Sequence, residues 1–151
     1  MERLIFTQIL PISPEKAWRF FSNPYNLGKI TPAGMNFQVR HALPDKIYEG
    51  MFIEYRVSPL AGIPMEWVTE ITHVKEPFFF IDEQRKGPYS IWHHEHHFEE
   101  IPKGVKMTDK LYYQVPFGGI GRIVNAVIVR NKVLSIFEYR KKILINLFGS
   151  I

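Results

Sequence analysis

The chain has 151 residues, of which 46% are hydrophobic and 23% charged, and it contains no cysteine. This length favours one domain over residues 1–151, and the hydrophobic content excludes a disordered chain. The lack of cysteine excludes a disulfide scaffold, a thiolate metal site and a cysteine nucleophile. No segment is apolar enough to span a bilayer, and the first residues lack the pattern of a secretory leader, so we expect a cytoplasmic protein.

The net charge could suggest a nucleic-acid partner, whereas the aromatic content suggests a large core or a ligand pocket. The formal net charge is +4, but the basic residues are spread along the chain, apart from the cluster Arg140-Lys141-Lys142. No nucleic-acid-binding motif accompanies them, so we predict no nucleic-acid partner. The 12 Phe, 7 Tyr and 3 Trp residues indicate a thick core or an aromatic-lined pocket.

The chain begins with a predicted strand at Glu2–Leu10 that is followed by two short helices. Ser13 is placed to cap the first helix, and Pro14 suits the first helical position. The dipeptide Asn23-Pro24 ends this helix, and a second short helix is predicted at Pro24–Ile30.

Six further strands follow, separated by turns rich in proline and glycine. We predict them at Met35–Ala42, Met51–Val57, Met65–Val74, Phe78–Gln84, Tyr89–Glu99 and Val105–Val115. The second of these is closed by the turn Pro59–Gly62. The connections are of hairpin length, which predicts an antiparallel sheet.

The last predicted element is a long helix from Ile120 to Phe148, entered through the glycines of residues 116–121. Its apolar residues recur at helical spacing and define the face expected to cover the sheet. That face comprises Ile120, Val124, Val127, Ile128, Val133, Phe137, Leu144 and Phe148. The cluster Arg140-Lys141-Lys142 is expected to be exposed to solvent near the end of the helix.

These elements predict an α+β fold in which a curved, seven-stranded antiparallel sheet surrounds the long C-terminal helix. The two short helices follow the first strand. A twisted sheet of this size curls, and one helix can lie in its concave side. A gap between the sheet and the helix would be a natural ligand cavity.

The chain also resembles a known family through a run of residues in its second half. The run comprises Phe80, Asp82, Gln84, Gly87-Pro88-Tyr89, Trp92, His94, His96, Phe98, Met107-Thr108-Asp109 and Pro116-Phe117-Gly118 with Gly121. It is similar to small bacterial proteins of the SRPBCC superfamily. That superfamily includes START lipid-transfer domains, the pollen-allergen group and polyketide cyclase-like proteins. The resemblance implies the helix-grip fold and either ligand binding or cyclase/dehydratase-like chemistry.

Four histidines fall in the predicted strand Tyr89–Glu99. Because side chains alternate along a strand, His94 and His96 share a face with Trp92 and Phe98, which indicates that this face points inward. His93, Glu95 and His97 then lie on the outer face. If residues 101–104 form the loop of the next hairpin, His96 lies opposite Asp109 on the inner face.

Three interpretations of these inner polar residues remain open. They could form a buried structural network, the polar end of a ligand pocket, or an acid/base site with His94 or His96 as the proton carrier and Asp109 as its orienting partner. The predicted function is the binding of a small hydrophobic molecule, lipid or polyketide-like. The predicted binding residues are Trp18, Trp67, Phe80, Asp82, Gln84, Trp92, His94, His96, Asp109, Leu111 and Tyr113.

A metal site, a phosphate-binding loop and membrane contact are less favoured by the sequence. His94, His96 and Asp109 could supply three zinc ligands, but such spacings are common in proteins without a metal, so we predict no metal and no cofactor. The glycines of residues 116–121 lack the pattern of a phosphate-binding loop. Weak membrane contact through the basic C-terminal helix stays an alternative to simple packing on the sheet.

Overall fold

The computed structural model describes residues 1–59 and 62–151, so that Leu60 and Ala61 of the predicted turn Pro59–Gly62 lie outside the described residues. The described residues form a curved, seven-stranded antiparallel sheet in the order β1-β7-β6-β5-β4-β3-β2. The strands are β1 (Glu2–Leu10), β2 (Gln38–Val39), β3 (Met51–Val57), β4 (Met65–Lys75), β5 (Phe79–Lys86), β6 (Ile91–Ile101) and β7 (Gly104–Gln114). The predicted fold class is confirmed, with most strand ends within two residues of the prediction.

The two short helices after β1 also form as predicted. Helix α1 spans Pro14–Phe21, and the Ser13 hydroxyl accepts a hydrogen bond from the backbone N–H of Lys16 at 3.2 Å. The second element, Pro24–Ile30, is a 3₁₀ helix, capped by the Asn23 side chain. Both caps satisfy backbone donors that a helix start leaves without a partner.

The predicted strand Met35–Ala42 is wrong over most of its length. Only Gln38–Val39 pairs with a neighbour, β3. Residues Ala33–Met35 form a 3₁₀ turn instead, and Asn36 adopts a left-handed backbone conformation with φ 49°. That conformation is incompatible with an extended strand, so the chain enters the sheet late.

The last element, here called the C-terminal helix, is continuous over 31 residues. It consists of an α-helix at Gly118–Val124, a π-helical turn at Asn125–Val129 and an α-helix at Arg130–Phe148. Its entry depends on Gly121, where a Cβ atom would lie 1.9 Å from the carbonyl oxygen of Pro116. No described helix is long and apolar enough to cross a bilayer.

The face of the C-terminal helix that packs on the sheet differs from the prediction in its first half. The buried residues are Gly121, Asn125, Val129, Val133, Phe137, Arg140 and Leu144. The predicted core residues Ile120, Val124, Val127 and Ile128 are instead exposed. The close approach of Gly121 to the backbone after β7 turns this face toward the sheet and leaves the aliphatic face outside.

In its second half the helix packs as predicted. The ring of Phe137 stacks on Phe6 of β1, with centroids 3.9 Å apart and planes at 6°. Val133 and Leu144 are buried, and Phe148 packs edge-on against Phe20 of α1. These contacts fix the helix across the inner face of the sheet and leave a space beside it.

Candidate functional site

A cavity of about 160 Å³ lies between the inner face of the sheet and the C-terminal helix, and it is partly open to solvent. Aliphatic and aromatic side chains from the sheet, the 3₁₀ helix and the C-terminal helix form most of its wall. They include Ile30, Ile53, Val57, Trp67, Trp92 and Ile136. The polar groups that reach it include Asp82, His94, His96 and Arg140.

Six of the predicted binding residues line this cavity. They are Trp67, Phe80, Asp82, Trp92, His94 and His96. The other five, namely Trp18, Gln84, Asp109, Leu111 and Tyr113, do not contribute to its wall. The alternation of side chains indicated which face of the sheet points inward. It could not distinguish residues of that face that line the cavity from residues that the C-terminal helix covers.

Each of these five residues lies elsewhere in the fold. Trp18 is 1% exposed and packs edge-on against two core phenylalanines, while Leu111 and Tyr113 lie beneath the C-terminal helix. The Gln84 side chain closes the turn before β6 by bonding to the backbone N–H and carbonyl of Tyr89. Asp109 is 2% exposed and lies behind the two inner histidines.

The hairpin of β6 and β7 has the predicted register, with His96 opposite Asp109 and His94 opposite Leu111. Its turn is shorter than expected, since pairing extends to Ile101 and Gly104, but the register is the same. One oxygen of Asp109, Oδ1, lies 3.0 Å from Nε2 of His94 and 3.0 Å from Nδ1 of His96. The predicted pair is therefore present, and Asp109 bridges both histidines.

Asp82 approaches the same imidazoles from the neighbouring strand. The register of β5 and β6 places it opposite His94, and its Oδ2 lies 2.7 Å from Nε2 of His96 and 3.7 Å from Nδ1 of His94. Asp82, His94, His96 and Asp109, here called the His–Asp cluster, thus form a ring of alternating acids and imidazoles. The sequence suggested Asp82 as a member but not its contacts, because four consecutive apolar residues, Phe78–Ile81, obscure the alternation.

The surroundings of the cluster shift the pKa values of its two histidines in opposite directions. Burial disfavours a charge on His96, but hydrogen bonds to Asp109 and Asp82 outweigh burial and raise its pKa. Burial and the neighbouring His96 lower the pKa of His94. Burial would raise the pKa of the Asp109 carboxyl, but both imidazoles hold it well below its ordinary value. The cluster therefore favours a proton on His96 over one on His94, and the two rings lie with centroids 3.9 Å apart.

His93, Glu95 and His97 lie on the outer face of β6, as the alternation predicted, and they make a separate set of contacts there. The side chains of His93, Glu95 and His97 are 31%, 20% and 34% exposed. His93 lies 2.9 Å from Glu83, and His97 lies 2.7 Å from Glu95. These pairs stabilise the outer surface of the sheet and do not reach the cavity.

The cluster also presents a group of atoms with the spacing of metal ligands. Asp82, His94 and His96 can each offer one ligand atom, and these atoms lie within 4.8 Å of one another. A divalent metal bound there would compete with the proton that the two carboxylates hold on His96. The prediction that the protein uses no metal stays a prediction.

Arg140 lines the cavity, whereas the sequence predicted that it would be exposed to solvent. Lys141 and Lys142 are exposed as expected, but Arg140 is only 8% exposed. Its guanidinium carbon lies 4.8 Å from the centroid of the Phe137 ring. The sequence spacing could have indicated this burial, because Arg140 falls between Phe137 and Leu144 at helical intervals on the buried face of the helix.

Comparison with known proteins shows similarity in structure only. No family model matches the chain, and no curated protein matches it. Protein CV1439 from Chromobacterium violaceum has a TM-score of 0.74 at 14% identity, covering 100% of both chains. Protein Ms6760 from Mycobacterium smegmatis has a TM-score of 0.67 at 19% identity, covering 96% of this chain and 92% of its own.

A plant protein is similar to the same degree. Ginseng major latex-like protein 151 from Panax ginseng has a TM-score of 0.70 at 14% identity, and the match covers 97% of each chain. At such identities the likeness shows the fold and not the function. The fold of this chain is therefore the helix-grip fold, a curved seven-stranded antiparallel sheet with a long C-terminal helix.

Proposed function

We propose that this protein binds a small hydrophobic molecule, lipid or polyketide-like, in the cavity between the sheet and the C-terminal helix. The observation that carries the proposal is the make-up of the cavity, whose walls are apolar and whose few polar groups converge at one end. This is the usual arrangement of small-molecule sites. The resemblance to the SRPBCC superfamily supports the same function.

The aromatic side chains make the cavity suitable for a ligand with a flat or flexible apolar part. Trp67 and Trp92 meet edge-on with ring centroids 5.1 Å apart, and Tyr89 lies 4.7 Å from Trp92. An apolar cavity of about 150 Å³ is large enough for a molecule the size of benzene. Because this cavity is partly open, a longer chain can extend from it toward solvent.

Uptake of the neutral dye N-phenyl-1-naphthylamine tests the proposal, because its fluorescence rises in an apolar site. We expect saturable binding with a micromolar Kd, about −8 kcal/mol. Ile136→Trp adds bulk to the cavity wall and should weaken binding at least about tenfold, or about 1.4 kcal/mol. Ile145→Trp is the matched control, because Ile145 lies on the same helix but outside the cavity wall.

Two results would count against ligand binding in this cavity. One is a lack of saturable dye binding to folded wild-type protein. The other is an equal loss of binding in Ile136→Trp and Ile145→Trp, which would place the dye elsewhere on the surface. Circular dichroism and a thermal melt of each variant establish that it is folded.

Acid/base catalysis is a second candidate function, and the His–Asp cluster is the observation that favours it. His94 could take a proton from carbon, and the electrons of that C–H bond would form a carbon–carbon double bond while the neighbouring hydroxyl, protonated by His96, leaves as water. Loss of water from 3-hydroxydecanoate, followed by mass spectrometry, tests this cyclase/dehydratase-like activity. His94→Ala should abolish turnover and His97→Ala should not; turnover that survives His94→Ala would exclude the mechanism.

Contact with an anionic lipid surface is a further proposal for the same protein. The first half of the C-terminal helix and the residue before it expose a stripe of apolar side chains, each more than half exposed: Phe117, Ile120, Ile123, Val127 and Ile128. Residues 116–137 contain three basic residues and no acidic one. Exposed apolar side chains beside basic ones are typical of surfaces that insert into the headgroup region of anionic membranes.

Sedimentation with vesicles tests this contact. Wild-type protein should sediment with phosphatidylglycerol vesicles more than with phosphatidylcholine vesicles, and salt should reduce the difference. Ile123→Asp should abolish sedimentation, whereas Leu147→Asp, at an exposed position near the other end of the helix, should not. Equal sedimentation of both variants, or none for the wild type, would refute the contact.

A further inference from the structure

Arg140 brings a permanent positive charge into a cavity with mostly apolar walls. The residue is 8% exposed, and its Nε is buried without a hydrogen-bond partner. Among residues 1–59 and 62–151, no carboxylate lies within ion-pair distance of its guanidinium. Buried charges in proteins are normally paired, so this guanidinium has unused binding capacity.

The carboxylates of the His–Asp cluster are already engaged by other groups. Asp82 contacts His96 at 2.7 Å, and Asp109 contacts both imidazoles at 3.0 Å. Asp82 lines the same cavity as Arg140 but does not pair with it. The N–H groups of Arg140 are therefore left for a group that residues 1–59 and 62–151 do not supply.

We propose that the molecule bound in the cavity carries a carboxylate and that Arg140 binds this group. This inference rests on the proposed function, since it names the chemical class of the same ligand. The apolar body lies against Trp67 and Trp92, and the carboxylate lies at the polar end of the cavity. The ligand is thus an apolar monocarboxylate, such as a medium-chain fatty acid or an aromatic acid.

The chemistry of Arg140 favours a carboxylate over other polar groups. A guanidinium is a planar fork of N–H donors that matches the two oxygens of a carboxylate, and it stays charged at every physiological pH. The ring of Phe137 lies beneath the guanidinium and supports its plane. A neutral ligand of the same shape would fill the apolar part of the cavity but leave Arg140 without a partner, so it should bind more weakly.

The test compares decanoate with 1-decanol as competitors that displace N-phenyl-1-naphthylamine from wild-type protein at neutral pH. The two molecules have the same chain and differ in the charged group. Decanoate should bind at least about tenfold tighter than decanol, a difference of about 1.4 kcal/mol. This comparison needs no variant, so it stands even where a substitution impairs folding.

Two variants then assign the preference to Arg140. Arg140→Gln removes the charge and should bring the ratio of decanol to decanoate Kd close to one. Lys142→Gln removes an equal charge from an exposed neighbour and should leave the ratio at its wild-type value. Retention of the full preference in folded Arg140→Gln would overturn the assignment.

The outcomes separate this inference from the function on which it rests. Equal affinity for decanoate and decanol, with the dye still bound, would refute the carboxylate and leave the hydrophobic cavity intact. A dye that does not bind at all would refute the proposed function and this inference with it. Tighter binding of decanol would also refute the carboxylate.

Discussion

Replacement of Asp109 by asparagine tests whether the His–Asp cluster stabilises the fold. Asp109 is 2% exposed; its Oδ1 accepts a hydrogen bond from Nε2 of His94 at 3.0 Å and lies 3.0 Å from Nδ1 of His96. Asparagine keeps the shape and one oxygen acceptor but removes the negative charge that holds the proton on His96. The substitution therefore weakens two buried contacts without creating a large cavity.

The magnitude follows from the two contacts. A hydrogen bond to a charged group contributes about 1.5–3 kcal/mol, and one between neutral groups about 0.5–1.5 kcal/mol. Removing the charge from one hydrogen bond and one ion-pair contact should lower the free energy of unfolding by about 1–3 kcal/mol. His93→Ala and His97→Ala are the controls, because they remove half-exposed imidazoles from the outer face and should change stability by about 0.5 kcal/mol or less.

The pH dependence gives the same test a second readout. The pKa of Asp109 lies below its ordinary value of 3.8, so its charge stabilises the fold above that pH and the stabilisation is lost as the pH falls. The difference in free energy of unfolding between wild type and Asp109→Asn should be fully present from about pH 5 up to the pH at which His96 loses its proton, and it should narrow below about pH 4. Urea unfolding at a series of pH values measures it. Equal losses from Asp109→Asn, His93→Ala and His97→Ala, or a gap that widens in acid, would refute the reasoning.

The remaining predictions concern the C-terminal helix. Phe137→Ala should lower the free energy of unfolding by about 3–5 kcal/mol in a urea titration, because its stacked ring is buried; a loss below about 1 kcal/mol would show that the ring does not support the core. Gly121→Ala should destabilise the protein in the same titration, because its Cβ would collide with the Pro116 carbonyl. Gly119→Ala should be neutral or stabilising, because its Cβ would meet only the flexible Arg122 side chain, at the ordinary contact distance of 4.0 Å. Truncation before Val133 should give an insoluble or molten chain, and a cooperative melt of that fragment would contradict the packing of the helix.

The order and type of the elements could be predicted from the sequence because their signals are local. Ser13 and Pro14 mark a helix start, and short turns rich in proline and glycine separate the strands. The position of His96 opposite Asp109 followed from the length of one hairpin and the alternation of side chains. That prediction needed no knowledge of the rest of the sheet.

The contacts between distant elements could not be predicted in the same way. Ile120 and Ile128 have the spacing of a core face, yet they are exposed because the packing of Gly121 on Pro116 sets the rotation of the helix. Arg140 was expected in solvent because charged side chains usually lie there, yet its place between Phe137 and Leu144 buries it. The extent of the cavity depends on how the helix crosses the sheet, which no single segment determines.

The most direct test of the central proposal, ligand binding between the sheet and the C-terminal helix, uses the three tryptophans as reporters. Trp67 and Trp92 line the cavity, whereas Trp18 lies in the core outside its wall. In a ¹H–¹⁵N NMR spectrum, with the indole signals assigned by Trp→Phe variants, saturating decanoate should shift the signals of Trp67 and Trp92 and leave that of Trp18 nearly unchanged. No shift in any indole signal, or a shift of Trp18 as large as the other two, would contradict binding in this cavity.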